Sequence, residues 1–117
     1  MATDYNDLLV LKKGYSNKLN ELEVATKDYS LQIRDAADKE YIYREVKAKA
    51  YIDLLADDTK VTVIPVLAGG RTAEDRLHFK IAEGLVKATK ENIKRLHSSV
   101  DAYQSLLSIA KAEIKLQ

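Results

Sequence analysis

The sequence predicts an all-α protein: two long helices folded back as an antiparallel hairpin or coiled coil, joined by a short extended connector and assembled as an oligomeric bundle. Three observations lead there. Its 117 residues include a single proline and four glycines, and charged and hydrophobic residues make up 32% and 46% of the chain. That is the balance of long amphipathic helices rather than of disorder or a β-barrel. Residues 79–114 then carry an unbroken seven-residue repeat. We read one helical domain over 1–117, with a helix over about 4–56, a connector over 57–71 and a second helix over about 73–116.

The first helix is predicted because 4–56 contains no proline and no glycine but Gly14, and because Thr3 or Asp4 is placed to cap its first amides. Its apolar residues, Leu8, Leu11, Tyr15, Leu19, Leu22, Ala25, Tyr29, Ile33, Ala36, Tyr43 and Ala50, follow steps of three and four that hold one stripe inward. Tyr15, Tyr29 and Tyr43 recur at fourteen residues, so they share that face, with their hydroxyls at its wet edge. Gly14 costs about 1 kcal/mol against alanine and marks the expected place for fraying or a bend.

In the connector, Val61-Thr62-Val63 alternates β-branched residues like a short strand, Pro65 confines such a strand to an edge, and Gly69-Gly70 provide a turn. Val61, Val63, Ile64, Val66 and Leu67 are too apolar for a solvated loop. Either the connector folds back over the bundle or it pairs with a strand of another chain, and both place these residues in contact with protein.

The second helix opens with Thr72 as its expected cap and with Glu74 and Asp75 facing the positive end of the helix dipole. Phe79, Val86, Ile93, Val100, Leu107 and Ile114 recur every seven residues. Ala82, Thr89, Leu96, Tyr103 and Ala110 occupy the companion positions three further on. A seam this regular demands a helical partner. Leu77, Ile81, Leu85, Leu106, Ile109 and Leu116 lie off it, more apolar surface than a two-helix hairpin covers, which predicts a homo-oligomer.

The catalytic inventory is thin. There is no cysteine, and His78 and His97 lie nineteen apart without a metal-ligand spacing; no nucleotide-binding loop or nucleophile elbow is present. The expectation is therefore a non-enzymatic protein without metal or cofactor. Acids at the N-terminus and a longest apolar run of Val63 to Ala68 argue against a signal peptide and a membrane span, and point to the cytoplasm.

The net charge of +1 hides an asymmetry: residues 1–58 hold nine basic against twelve acidic side chains, residues 59–117 ten against six. The halves are thus −3 and +4. Arg76, Lys80, Lys87, Lys90, Lys94 and His97, with Arg95 beside them, form a basic stripe on the second helix, interrupted by Glu83. Either the stripe pairs with the acidic first helix or merely solvates the bundle, or it follows a phosphate backbone with little sequence preference.

From Arg44 onward, the run Val46-Lys47-Ala48-Lys49-Ala50-Tyr51, a short connector, and a helix opening Asp75-Arg76 resemble the small helical accessory proteins of phages, in particular the UvsY-type recombination mediators of T-even phages. The apolar connector departs from that pattern, which is polar and glycine-rich there, and no residue-level motif carries across. The resemblance implies a ring-forming oligomer in the infected host's cytoplasm that binds single-stranded DNA and helps load a recombinase. The other readings are a small inhibitor or adaptor, such as an anti-defence protein, binding a host or phage protein through the connector or a helix face, and a structural assembly protein.

Overall fold

A computed structural model describes residues 4–116. It contains three helices, α1 (Tyr5–Ala56), α2 (Ile64–Arg71) and α3 (Ala73–Leu116), and no strand among the described residues. The start of α1 is a reciprocal capping box: the Asp7 amide donates to Asp4 Oδ1 (2.9 Å) and the Asp4 amide donates to Asp7 Oδ2 (3.2 Å). Asp4 is therefore the cap; Thr3 lies outside the described residues. α1 runs through Gly14 without interruption, and no bend is needed there because the missing side chain makes room for a neighbour, as described below.

The end of α1 is equally well defined. The Thr59 amide donates to the Leu54 carbonyl and the Asp58 amide to the Leu55 carbonyl. This is the Schellman pattern, and it puts Asp58 at φ 57°, the left-handed position usually given to glycine.

The connector departs most from the sequence expectation. The predicted extended segment is a turn at 61–63 followed by α2. Pro65 starts a helix here, because the first helical turn has no use for the amide that proline lacks. Gly69 and Gly70 belong to α2, neither with a positive φ, rather than forming a turn. What holds α2 is the spacing of Ile64 and Ala68, four apart on one face, both buried against Ala50 and Leu54 of α1 with Tyr51 alongside.

The junction of α2 and α3 corrects the expected cap. Thr72 does accept the first α3 hydrogen bond, from the Arg76 amide (3.0 Å), but its buried hydroxyl turns back and donates to the Ala68 carbonyl (2.8 Å). Its side chain therefore closes α2 instead of capping α3.

Contacts divide the chain into two compact units, Met1–Tyr29 with Thr89–Gln117, and Ser30–Ala88. In the first unit, Leu8 packs on Leu107 and Ala110, with Leu11, Tyr15 and Ile114 around them. Gln104 donates to the Tyr15 hydroxyl (3.1 Å). Later residues of α1 meet earlier residues of α3, so the two run antiparallel. In the second unit, the same sense brings Tyr43 onto Phe79, ring centroids 6.1 Å apart, while the α2 cluster closes its end.

The α3 residues of the seven-residue repeat are all buried or half-buried. The α1 seam follows an equally strict frame and differs from the expected one in detail. Leu19 and Ile33 are exposed, while Lys18, Gln32, Lys39 and Val46 are half-buried in their place. Choosing the apolar residue at each turn let the frame drift. Packing against a heptad partner holds it to sevens and accepts polar side chains whose stems cover the seam. No described helix is long and apolar enough to cross a membrane.

Candidate nucleic-acid interface

With Phe79 and Ala82 as the a and d positions of α3, the rest of the helix sorts into two flanks. Positions e and b lie to one side of the seam, positions g and c to the other, because each residue advances by about 100°. In an antiparallel pair, e faces e and g faces g. Both units show this. On the e side of the second unit, Ile33 and Glu40 of α1 share a groove with Phe79, Glu83 and Val86. On the g side, Asp35 and Lys39 share one with His78, Ile81 and Leu85. In the first unit, Tyr15 lies with Gln104 and Lys111 on the e side, and Glu21, Val24 and Asp28 with Asn92 and Leu96 on the g side.

The basic residues follow this division. Arg76, Lys90 and His97 occupy e, and Lys80, Lys87 and Lys94 occupy b, all exposed. Each unit thus has a basic group on the e side of α3: Arg76, Lys80 and Lys87 in one, Lys90, Lys94 and His97 in the other. Arg95 does not share it. It is a c residue, turned to the g side by its one-residue offset from Lys94.

The ion pairs of the stripe exclude one expected arrangement, pairing with α1. Lys80 and Lys87 reach Glu83 (3.5 and 3.9 Å), and Lys94 reaches Glu91 (3.3 Å), all within α3. Arg76, Lys90 and His97 have no ion pair among the described residues, and no member of the stripe pairs with α1. Of the acids of α1, Glu21, Asp28 and Asp35 line the g side, across the seam from the stripe, whereas Glu40 lies on the e side and pairs with Arg44 of its own helix (2.6 Å). Exposed pairs within one helix are worth a few tenths of a kcal/mol, ~0.3–0.5, so the lysines are held loosely enough to exchange a carboxylate for another anion.

One basic residue was not singled out in the sequence. Lys47, an e residue of α1, has its Nζ 5.7 Å from the Tyr43 ring centroid, while Lys80 Nζ lies 5.3 Å from that of Phe79. Two ammonium groups therefore sit by a stacked aromatic pair, tilted by 22°. The spacing Tyr43 to Lys47, one helical turn, was the available signal. The pairing with Phe79 was not, because it joins residues thirty-six apart.

Of the residues assigned to the seam, Leu96, Val100 and Leu107 are buried, and Phe79, Val86, Ile93, Tyr103 and Ile114 half-buried. Among the connector residues, Ile64 is buried, whereas Val61, Val63, Val66 and Leu67 are exposed. No group of three or more potential metal ligands occurs among the described residues. Comparison with family models, with curated proteins and with solved structures finds no match, so the chain's chemistry is read from its own geometry.

Proposed function

We propose that the protein is a non-enzymatic, oligomeric accessory protein of phage type that assists nucleic-acid transactions by binding single strands, as a recombination helper does, in the host cytoplasm. The observation that carries this reading is the exposed e and b flank of α3, whose lysines pair within their own helix and leave the acids of α1 untouched. Anions are the natural ligand of such a flank, and a polyanion satisfies several of its positions at once. The stacked Tyr43 and Phe79 under Lys47 and Lys80 add an aromatic element to the second unit's basic group.

The test is a mobility shift with a single-stranded oligonucleotide over a salt series. With five phosphate contacts, from Arg76, Lys80, Lys87, Lys90 and Lys94, log affinity falls with log salt at a slope of roughly −3.5, about 100-fold from 50 to 200 mM. A combined Lys80→Ala, Lys87→Ala, Lys90→Ala, Lys94→Ala variant should stay helical and lose binding. Equal binding by that variant would remove the reading.

A second reading rests on a different observation. Val61 and Val66 are exposed by 73% and 75%, with Leu67, Ile52 and Leu55 also exposed. An inhibitor or adaptor would seat a host or phage protein there, and Val66→Asp would abolish its binding while leaving the salt-dependent shift intact.

A further inference from the structure

The basic flank accounts for one side of α3. The other side, positions g and c, is apolar and uncovered: Ile81, Leu85, Leu106 and Ile109 are exposed by 60%, 50%, 47% and 57%. These residues are arranged symmetrically along the helix. Outward from Arg95 in both directions, the flank reads Asn92 and Ser99, then Ala88 and Ala102, then Leu85 and Leu106, then Ile81 and Ile109. Polar or charged at the centre, alanine next, leucine and then isoleucine outside, it presents nearly the same face from either end.

A closed two-fold contact requires this property. In such a contact, residue i of one copy meets residue j of the other while j meets i, so the surface must be complementary to itself when reversed. We infer that the g and c flank of α3 is the interface of a homodimer, with the α3 helices antiparallel and the two-fold axis close to Arg95. Ile81 and Leu85 of each copy then pack on Leu106 and Ile109 of its partner.

Three features favour a second copy in this orientation over an unrelated partner. Ala88 and Ala102 leave the inner turns small enough for two helices to approach, and the large residues then interdigitate further out. Antiparallel packing opposes the two helix dipoles. It also brings the acidic first turn of one α3, with Glu74 and Asp75, toward the basic last turn of the other, with Lys115. A parallel pair would align the dipoles and set the like-charged helix ends against each other.

A specific interface takes about 800 Å² from each partner, more than four α3 side chains offer. α1 adds exposed apolar residues on the same side of the seam, Val24 in one unit and Leu31 and Ile42 in the other. On that side, Asp28 lines the groove beside Asn92 and Leu96 and is placed to supply a counter-charge for Arg95. Because the basic residues occupy the opposite flank, this dimer leaves them free, and the inference stands whether or not nucleic acid is the ligand.

Sedimentation velocity and light scattering on the full chain test it. The parent should run at twice its 13.2 kDa chain mass at tens of micromolar. Leu85→Glu, off the seam and half exposed, should give a helical monomer, its dimer dissociation constant raised at least 100-fold. The decisive variant combines Leu85→Glu with Leu106→Lys. Antiparallel pairing sets each glutamate within one turn of the partner's lysine, so the double variant should recover the dimer, at least tenfold tighter than Leu85→Glu alone. A monomeric parent would overturn the inference. So would a dimer unaffected by Leu85→Glu, or a double variant no tighter than the single one. Loss of the dimer with oligonucleotide binding retained, or the reverse, separates this interface from the basic flank.

Discussion

Gly14 offers the sharpest test of the packing. In an isolated helix, Gly14→Ala and Gly84→Ala have the same effect, a gain of about 1 kcal/mol in helix propensity. In the folded protein, their surroundings differ. A Cβ at Gly84 meets nothing within 4 Å, whereas one at Gly14 would lie 2.6 Å from Tyr103 Oη and 2.7 Å from its Cε1 and Cζ. Carbon contacts are comfortable at about 3.5–4.0 Å, so the ring must retreat by roughly an ångström. Because Cε1 is hit as well as the hydroxyl, rotating the tip does not suffice. Overpacking of this kind costs about 1–3 kcal/mol, which cancels or exceeds the propensity gain. Gly84→Ala should therefore raise the Tm by roughly 4 °C, taking about 4 °C per kcal/mol for a chain of this size, while Gly14→Ala leaves it unchanged or lowers it by up to ~8 °C. Circular-dichroism melts of both variants, repeated in a Tyr103→Leu background, complete the cycle. Without the ring, Gly14→Ala should become stabilising, with a coupling of about 1–3 kcal/mol. Equal stabilisation by the two alanines in the parent protein would refute the reasoning.

Other substitutions probe other elements. Asp58→Gly should stabilise by about 0.5–1 kcal/mol in denaturant titrations, because glycine takes the left-handed position without the Cβ penalty. Gln32→Leu should raise the denaturation midpoint by an amount worth about 1–3 kcal/mol, since Gln32 Oε1 is buried without a hydrogen-bond partner. Ile64→Ala should cost about 2–4 kcal/mol, and hydrogen exchange should show 64–71 losing protection while the α1 and α3 amides near Leu8 and Leu107 keep theirs. Val100→Asp should unfold or dissociate the protein, because it leaves an unpaired charge in a buried seam position, and a folded variant with parental helicity would contradict the register of α3.

The sequence by itself determined the helical class, the extents of both long helices and the frame of α3. These follow from local causes: helix formers without prolines, a capping box at Asp4, and a heptad repeat whose residues are each buried or half-buried in the structure. The shared face of Arg76, Lys80, Lys87, Lys90, Lys94 and His97 was legible too, whereas Arg95 falls on the other flank. What the sequence left open were matters decided between segments. Whether the stripe lay against the acids of α1 depended on which flank of α1 faced which flank of α3, fixed by the antiparallel register and not by either helix alone. The connector misled because valine, isoleucine and proline favour extension locally. Burying Ile64 and Ala68 on Ala50 and Leu54 instead rewards a helix, whose four-residue spacing brings both onto one face. Gly14 misled for the same reason: as a local residue it weakens α1, and its purpose appears when Tyr103, eighty-nine residues away, fills the space it leaves.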